Sequence, residues 1–178
     1  RDGMTKNGIG IAAQDQIVKS ITSFALYGFP ESHAASFALI AYASAYLKAH
    51  HGAAFFISLL NAWPMGFYHP ATLVKDAQRH DIEMLPIDVN QSGWMCRWEK
   101  GGVRLGLRFV KGLREQTAKA IEAAQPFASV DDLAVRCRVR DDQLTKLAYA
   151  GALGSLGLTR RAALWQAGIA GAAAARDG

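Results

Sequence analysis

Cysteine is scarce. Cys96 and Cys137 are the only two in 178 residues, and they form no CxxC spacing. A disulfide scaffold and a cysteine-based zinc site are therefore excluded, and a reducing, cytoplasmic compartment is expected. Charged residues are also sparse, at 20%, slightly below a typical soluble domain. Long apolar runs are absent. The longest uncharged one, Ala34 to Leu47, has 14 residues, against about 20 for a membrane span. It includes Ser36, Tyr42, Ser44 and Tyr46, so a buried helix and no membrane contact are expected. His33, His50, His51, His69 and His80 form no HxxxH or HExxH pair, and there is no P-loop and no GxSxG. Zinc-peptidase, P-loop and α/β-hydrolase chemistry are thereby set aside. No basic leader with a cleavage site follows Arg1, and Ala172–Ala175 with Arg176-Asp177-Gly178 reads as a low-complexity tail. A piece of a longer protein is expected.

What is present is apolar and helical in period. Hydrophobic residues make up 51% of the chain, ample for a core and too many for wholesale disorder. The length allows one domain or two small ones. Residues 1–10 are polar and expected to fray. Ile17, Ile21 and Phe24 mark a helix over about 13–26, ended by Tyr27-Gly28-Phe29-Pro30. Ser32 reads as the N-cap of a second helix reaching His50. Helices follow over 53–62 and from Pro70 to near His80. The character then changes. Residues 82–86 read as an extended segment. Lys100-Gly101-Gly102 between two apolar runs is a hairpin signal. Helices return over 115–124, 129–135 (capped by Ser129), 141–153 and from Thr159 to about Ala170. Asp131-Asp132 and Asp141-Asp142 sit at helix starts, where capping explains them without metal chemistry. The fold class is mainly α, with a small β-hairpin.

The net charge is +5, with a pI near 9.4. Residues 101–178 hold twelve Lys/Arg and seven Asp/Glu, so the basic excess lies in this last segment. A nucleic-acid contact is expected there. Val110-Lys111-Gly112-Leu113-Arg114 has the core pattern of a helix-hairpin-helix turn. Glycine lets the backbone approach a phosphate, and the following helix start offers free N–H groups. Such a turn holds the backbone and reads no base. Arg114 replaces the usual second glycine. A second corner runs from Ala150 through Gly151, Gly154 and Gly157 to Arg160-Arg161. Arginines at a helix start oppose its dipole, and phosphate contact gives them a reason to be there. The other reading of both corners is an ordinary turn on a solvated face. Ser32-His33 at a helix start could meet a triphosphate, or be an N-cap beside a surface histidine.

Read together, the residues carry a resemblance. Tyr27-Gly-Phe-Pro-Glu-Ser-His-Ala-Ala-Ser-Phe-Ala38, Tyr46-Leu-Lys-Ala-His-His51 and Leu60-Asn-Ala-Trp-Pro-Met-Gly-Phe-Tyr68 are similar to the bacterial C-family DNA polymerases, the DNA polymerase III alpha-subunit type. Leu85-Pro-Ile-Asp-Val-Asn90 and Leu105-Gly-Leu-Arg-Phe-Val-Lys-Gly-Leu113 continue the match in the same order, over about residues 1–166. Phe-Pro-Glu-Ser-His and Pro-Met-Gly-Phe-Tyr look more like the error-prone, damage-inducible branch than the replicative one, which usually has Lys in place of Glu31.

The resemblance implies that residues 1–90 are the end of a fingers domain and residues 91–178 a tandem helix-hairpin-helix domain with a low-complexity tail. Ser32 and His33 become candidate contacts to the incoming nucleotide. Lys111, Gly112, Leu113, Arg114, Gly154, Gly157, Arg160 and Arg161 become candidate DNA contacts. The palm with its Mg2+-binding aspartates, the PHP domain and the thumb precede this region in the family. The piece alone is thus expected not to polymerise and to bind no metal itself. Implied partners are primer-template DNA and a deoxynucleoside triphosphate, with a sliding clamp and accessory mutagenesis proteins left open. The rival readings are a stand-alone DNA-binding module, a replicative alpha subunit, and a helical protein-interaction domain.

Overall fold

Helical periodicity governs most of the chain, and the computed structural model is accordingly mainly α with one small sheet. It describes residues 1–26, 31–66 and 68–174, and their side chains except at 24–26, 31–32 and 169–174. The chain divides into two compact units, residues 1–47 and 48–178.

The first unit holds α1 (Asp2–Lys6), α2 (Ile11–Leu26) and most of α3 (Glu31–His50). The N-terminal residues are ordered into a helical turn, contrary to the expected fraying. Gln14 explains this: its buried amide donates to the Thr5 hydroxyl at 3.0 Å and to the Ile9 carbonyl at 2.8 Å. Arg1 also pairs with Asp15 at 2.8 Å. The expected break at 27–30 lies outside the described residues. Because α3 begins at Glu31, Ser32 falls inside its first turn and is not the N-cap. The expectation that 34–47 is a buried helix is corrected as well. Phe37, Leu39, Ile40 and Tyr42 are all more than half exposed. Apolar residues surround this helix on all sides, so no single stripe can be covered by one neighbour.

The second unit starts with α4 (Gly52–Asn61) and α5 (Pro70–Arg79). Pro70 occupies the first helical position of α5, where its missing N–H costs nothing. The expected extended segment is β1 (Glu83–Leu85), and the expected hairpin is β2 (Arg97–Glu99) and β3 (Gly102–Arg104). Lys100 and Gly101 both have positive φ, 49° and 85°, as a two-residue hairpin turn demands. The sheet order is β1-β3-β2, with β3 antiparallel to β2 and parallel to β1, Met84 opposite Val103. β3 is buried throughout. One cluster, with Phe56, Leu60, Leu73, Ala77, Cys96 and Val103, joins α4 and α5 to the sheet.

Beyond the sheet come a 3-10 turn at Leu107–Phe109, α6 (Glu115–Ala124), α7 (Val130–Cys137), α8 (Asp141–Tyr149), a 3-10 turn at Gly154–Leu156, and α9 (Arg160–Ala174). The Ser129 hydroxyl accepts from the Asp132 N–H, as expected of an N-cap. α8 ends four residues before the expected Leu153. Gly151, at φ 74°, turns the chain left-handed. The Ala152 N–H then returns to the Leu147 carbonyl and the Gly151 N–H to the Ala148 carbonyl, the Schellman pattern. Leu107, Ile121, Phe127, Leu133, Leu144, Leu147 and Leu153 are among the large members of the second core cluster.

Residues 86–92 brace these parts. Ser92 accepts from the Asp88 N–H and donates to the Leu105 carbonyl. Asn90 pairs both ways with the Phe127 backbone, at 3.0 and 2.7 Å. Gln125 donates to the Val89 and Ser92 carbonyls. Buried Arg104 donates to the Pro86 carbonyl, to Gln91 and twice to Glu99. The Asp88 carboxylate accepts from the Asn90 N–H at 2.8 Å and from the distant Ser155 N–H at 2.9 Å.

Candidate nucleic-acid interface

The first corner is built by the 3-10 turn at 107–109 and the start of α6. Val110 and Leu113 are buried and anchor it in the core. Lys111, Gly112 and Arg114 face outward. The Leu113 N–H closes the turn on the Val110 carbonyl at 3.0 Å. The N–H groups of Lys111, Gly112 and Arg114 donate to no acceptor among the described residues. Gly112 has φ 82°, a conformation that glycine adopts freely and side-chain-bearing residues resist. Arg114 is the N-cap of α6 without a side-chain cap bond, so the helix start stays open. Three amides without acceptors among the described residues, an open helix start and two flanking cations are features that can receive an anion.

Sequence reasoning missed one member of this corner. Lys146 comes from α8, and a Cβ at Gly112 would stand 2.9 Å from its Nζ. Lys146 also donates to Asp142 at 3.0 Å. That bond holds the Asp142 carboxyl below its ordinary value, with lesser help from the charges of Arg140 and Arg114. An i,i+4 acid–base pair in the sequence hinted at the ion pair, but not at its place over the hairpin.

The second corner is exposed at Gly154 and Gly157, yet its amides are largely occupied. Those of Gly151, Ala152, Leu156 and Gly157 return to backbone carbonyls, and that of Ser155 goes to Asp88. An internal carboxylate thus sits where an external anion would need a donor. The cations remain: Arg160 and Arg161 are exposed in the first turn of α9. Arg160 passes close to Gly151, whose Cβ would lie 3.7 Å from its Nη2.

Ser32 and His33 are brought together only as neighbours in the first turn of α3. The His33 ring meets Phe37 edge-on at 4.5 Å. The Ser32 side chain lies outside the described residues. Among the described residues no group of three or more His, Cys, Asp or Glu is placed to hold a metal ion, and no helix is long and apolar enough to cross a membrane.

Residues 81–163 match the family model for the helix-hairpin-helix motif, which takes in both corners. The chain is 49% identical over 178 residues to an error-prone DNA polymerase of Burkholderia mallei, covering 93% of this chain and 17% of that protein. Error-prone DNA polymerases of Corynebacterium glutamicum and Pseudomonas aeruginosa are 48% and 47% identical, each over 92% of this chain. The chain resembles part of an error-prone DNA polymerase. It spans about a sixth of the length of these relatives. The resemblance read from the motifs is borne out, including its error-prone branch.

Proposed function

We propose that this chain is the fingers-end and DNA-holding portion of an error-prone DNA polymerase. Residues 91–178 hold the backbone of duplex DNA without reading its bases, and residues 1–90 serve the incoming deoxynucleoside triphosphate. The observation that carries the reading is the first corner. Three amides at the exposed Lys111, Gly112 and Arg114, with no acceptor among the described residues, stand beside cations, on a motif that the helix-hairpin-helix match covers. Leu113 anchors the turn. At the second corner Gly154 and Gly157 shape the loop, and Arg160 and Arg161 make the contact. Binding of this kind is dominated by phosphates and weakens with salt.

Catalysis belongs to a palm outside this chain, whose Mg2+ ions would activate the primer hydroxyl. Ser32 and His33, at the start of α3, are the nucleotide-side contacts. Synthesis past DNA damage belongs to the same reading, and a cytoplasmic location accords with the scarcity of cysteine. The test joins this chain to the palm-containing region that precedes it in the relatives. Primer extension is expected, with a raised nucleotide KM in Ser32→Ala and His33→Ala. Extension at unchanged KM in both would remove the nucleotide role, and no extension at all would favour a stand-alone DNA-binding module.

A further inference from the structure

We infer that Lys146 completes the phosphate site of the first hairpin, with Asp142 as the resting counter-ion that a DNA phosphate displaces. This inference rests on the reading of that hairpin as a DNA contact, and it adds a ligand-binding residue from a different helix. Three observations carry it. The Lys146 ammonium lies against Gly112, close enough that a Cβ there would touch it at 2.9 Å. The N–H groups of Lys111, Gly112 and Arg114 have no internal acceptor among the described residues. The ammonium is held by one exposed carboxylate, Asp142, which also faces Arg140 at 3.4 Å.

A carboxylate set among Lys146, Arg140 and Arg114 mimics the charge a phosphate would bring. An exposed ion pair of this type is weak in water, so exchanging the carboxylate for a phosphate that also meets the three amides is favourable. Lys146 reaches the hairpin from the first helix of the second helix-hairpin-helix unit. The two units thus share a phosphate, and their spacing fixes how the duplex backbone lies.

The experiment is a titration of the 178-residue chain with a mixed-sequence DNA duplex across a salt series. Lys146→Gln is expected to weaken binding about five- to tenfold and to reduce the slope of log affinity against log salt by about 0.9, one phosphate's worth. Lys146→Arg restores the slope. Asp142→Asn tightens binding about two- to fivefold, because Lys146 no longer has to be released. Lys100→Gln, at the β-hairpin tip, changes neither affinity nor slope. Thermal unfolding of each variant separates a lost contact from a lost fold. If Lys146→Gln binds like the unaltered chain while Lys111→Glu with Arg114→Glu abolishes binding, the hairpin reading stands and this inference is overturned. An unaltered chain that binds no duplex overturns both.

Discussion

Replacing Asp88 by Ala tests whether residues 86–92 hold the two corners in one body. Asp88 is 7% exposed, and its carboxylate accepts two backbone N–H bonds, at 2.8 Å from Asn90 and 2.9 Å from Ser155. Removing it frees both donors. A donor left unpaired while buried costs about 1–3 kcal/mol; Ser155 is exposed and its freed N–H can turn to water, so the loss is about 1–3 kcal/mol. At roughly 2–4 °C per kcal/mol for a chain of this length, the thermal midpoint falls by at least about 2 °C. Asp88→Asn keeps a single acceptor oxygen and is expected to lose about half as much. Urea unfolding followed by circular dichroism measures the change, and backbone amide exchange at Ser155 locates it. A loss below about 1 kcal/mol, or Ser155 protection unchanged in Asp88→Ala, refutes the brace.

Other predictions concern packing and pH. Gly106→Ala places a Cβ 2.3 Å from the Trp94 carbonyl oxygen and 2.6 Å from the Met95 carbonyl carbon. These are backbone atoms that cannot yield, so destabilisation of about 3 kcal/mol or more is expected in chemical denaturation. Arg104 holds the Glu99 carboxyl below its ordinary value of 4.5. A lowered folded pKa stabilises above the unfolded value, and the effect is lost as pH falls. Glu99→Gln should therefore be less stable than the unaltered chain at pH 7, with the gap narrowing below about pH 4.5 and closing at lower pH. A gap constant from pH 7 to pH 3 counts against that ion pair. Ser129→Ala removes the α7 cap and should cost about 1 kcal/mol in the same assay.

Much of this was legible in the sequence because local chemistry decides it. Pro70 and Ser129 announce helix starts, and Lys100-Gly101-Gly102 announces the hairpin. The Val110–Arg114 turn could be read because glycine, flanking apolar anchors and a following helical period all fall within a few residues. What stayed hidden depends on contacts between distant residues. Nothing near Asp88 says that it reaches Ser155, and nothing near Gly112 says that Lys146 lies over it. Gly151 fell inside the helix expected over 141–153, whereas its left-handed φ ends α8 early. The run at 34–47 misled because apolar composition reports a tendency to be covered and not what does the covering. Ser32 resembled an N-cap by type, but the backbone of α3 already turns at Glu31.

Fluorescence anisotropy of the chain with labelled duplexes of two unrelated sequences, between 50 and 200 mM salt, measures whether it holds DNA by its phosphates. Equal affinities for both sequences are expected, with a log–log salt slope of about −2 to −4, consistent with a few phosphate contacts. Binding is also expected to be lost when Lys111, Arg114, Arg160 and Arg161 are changed to Glu together. Affinity insensitive to salt, or retained in that fourfold variant, would contradict a phosphate-held duplex.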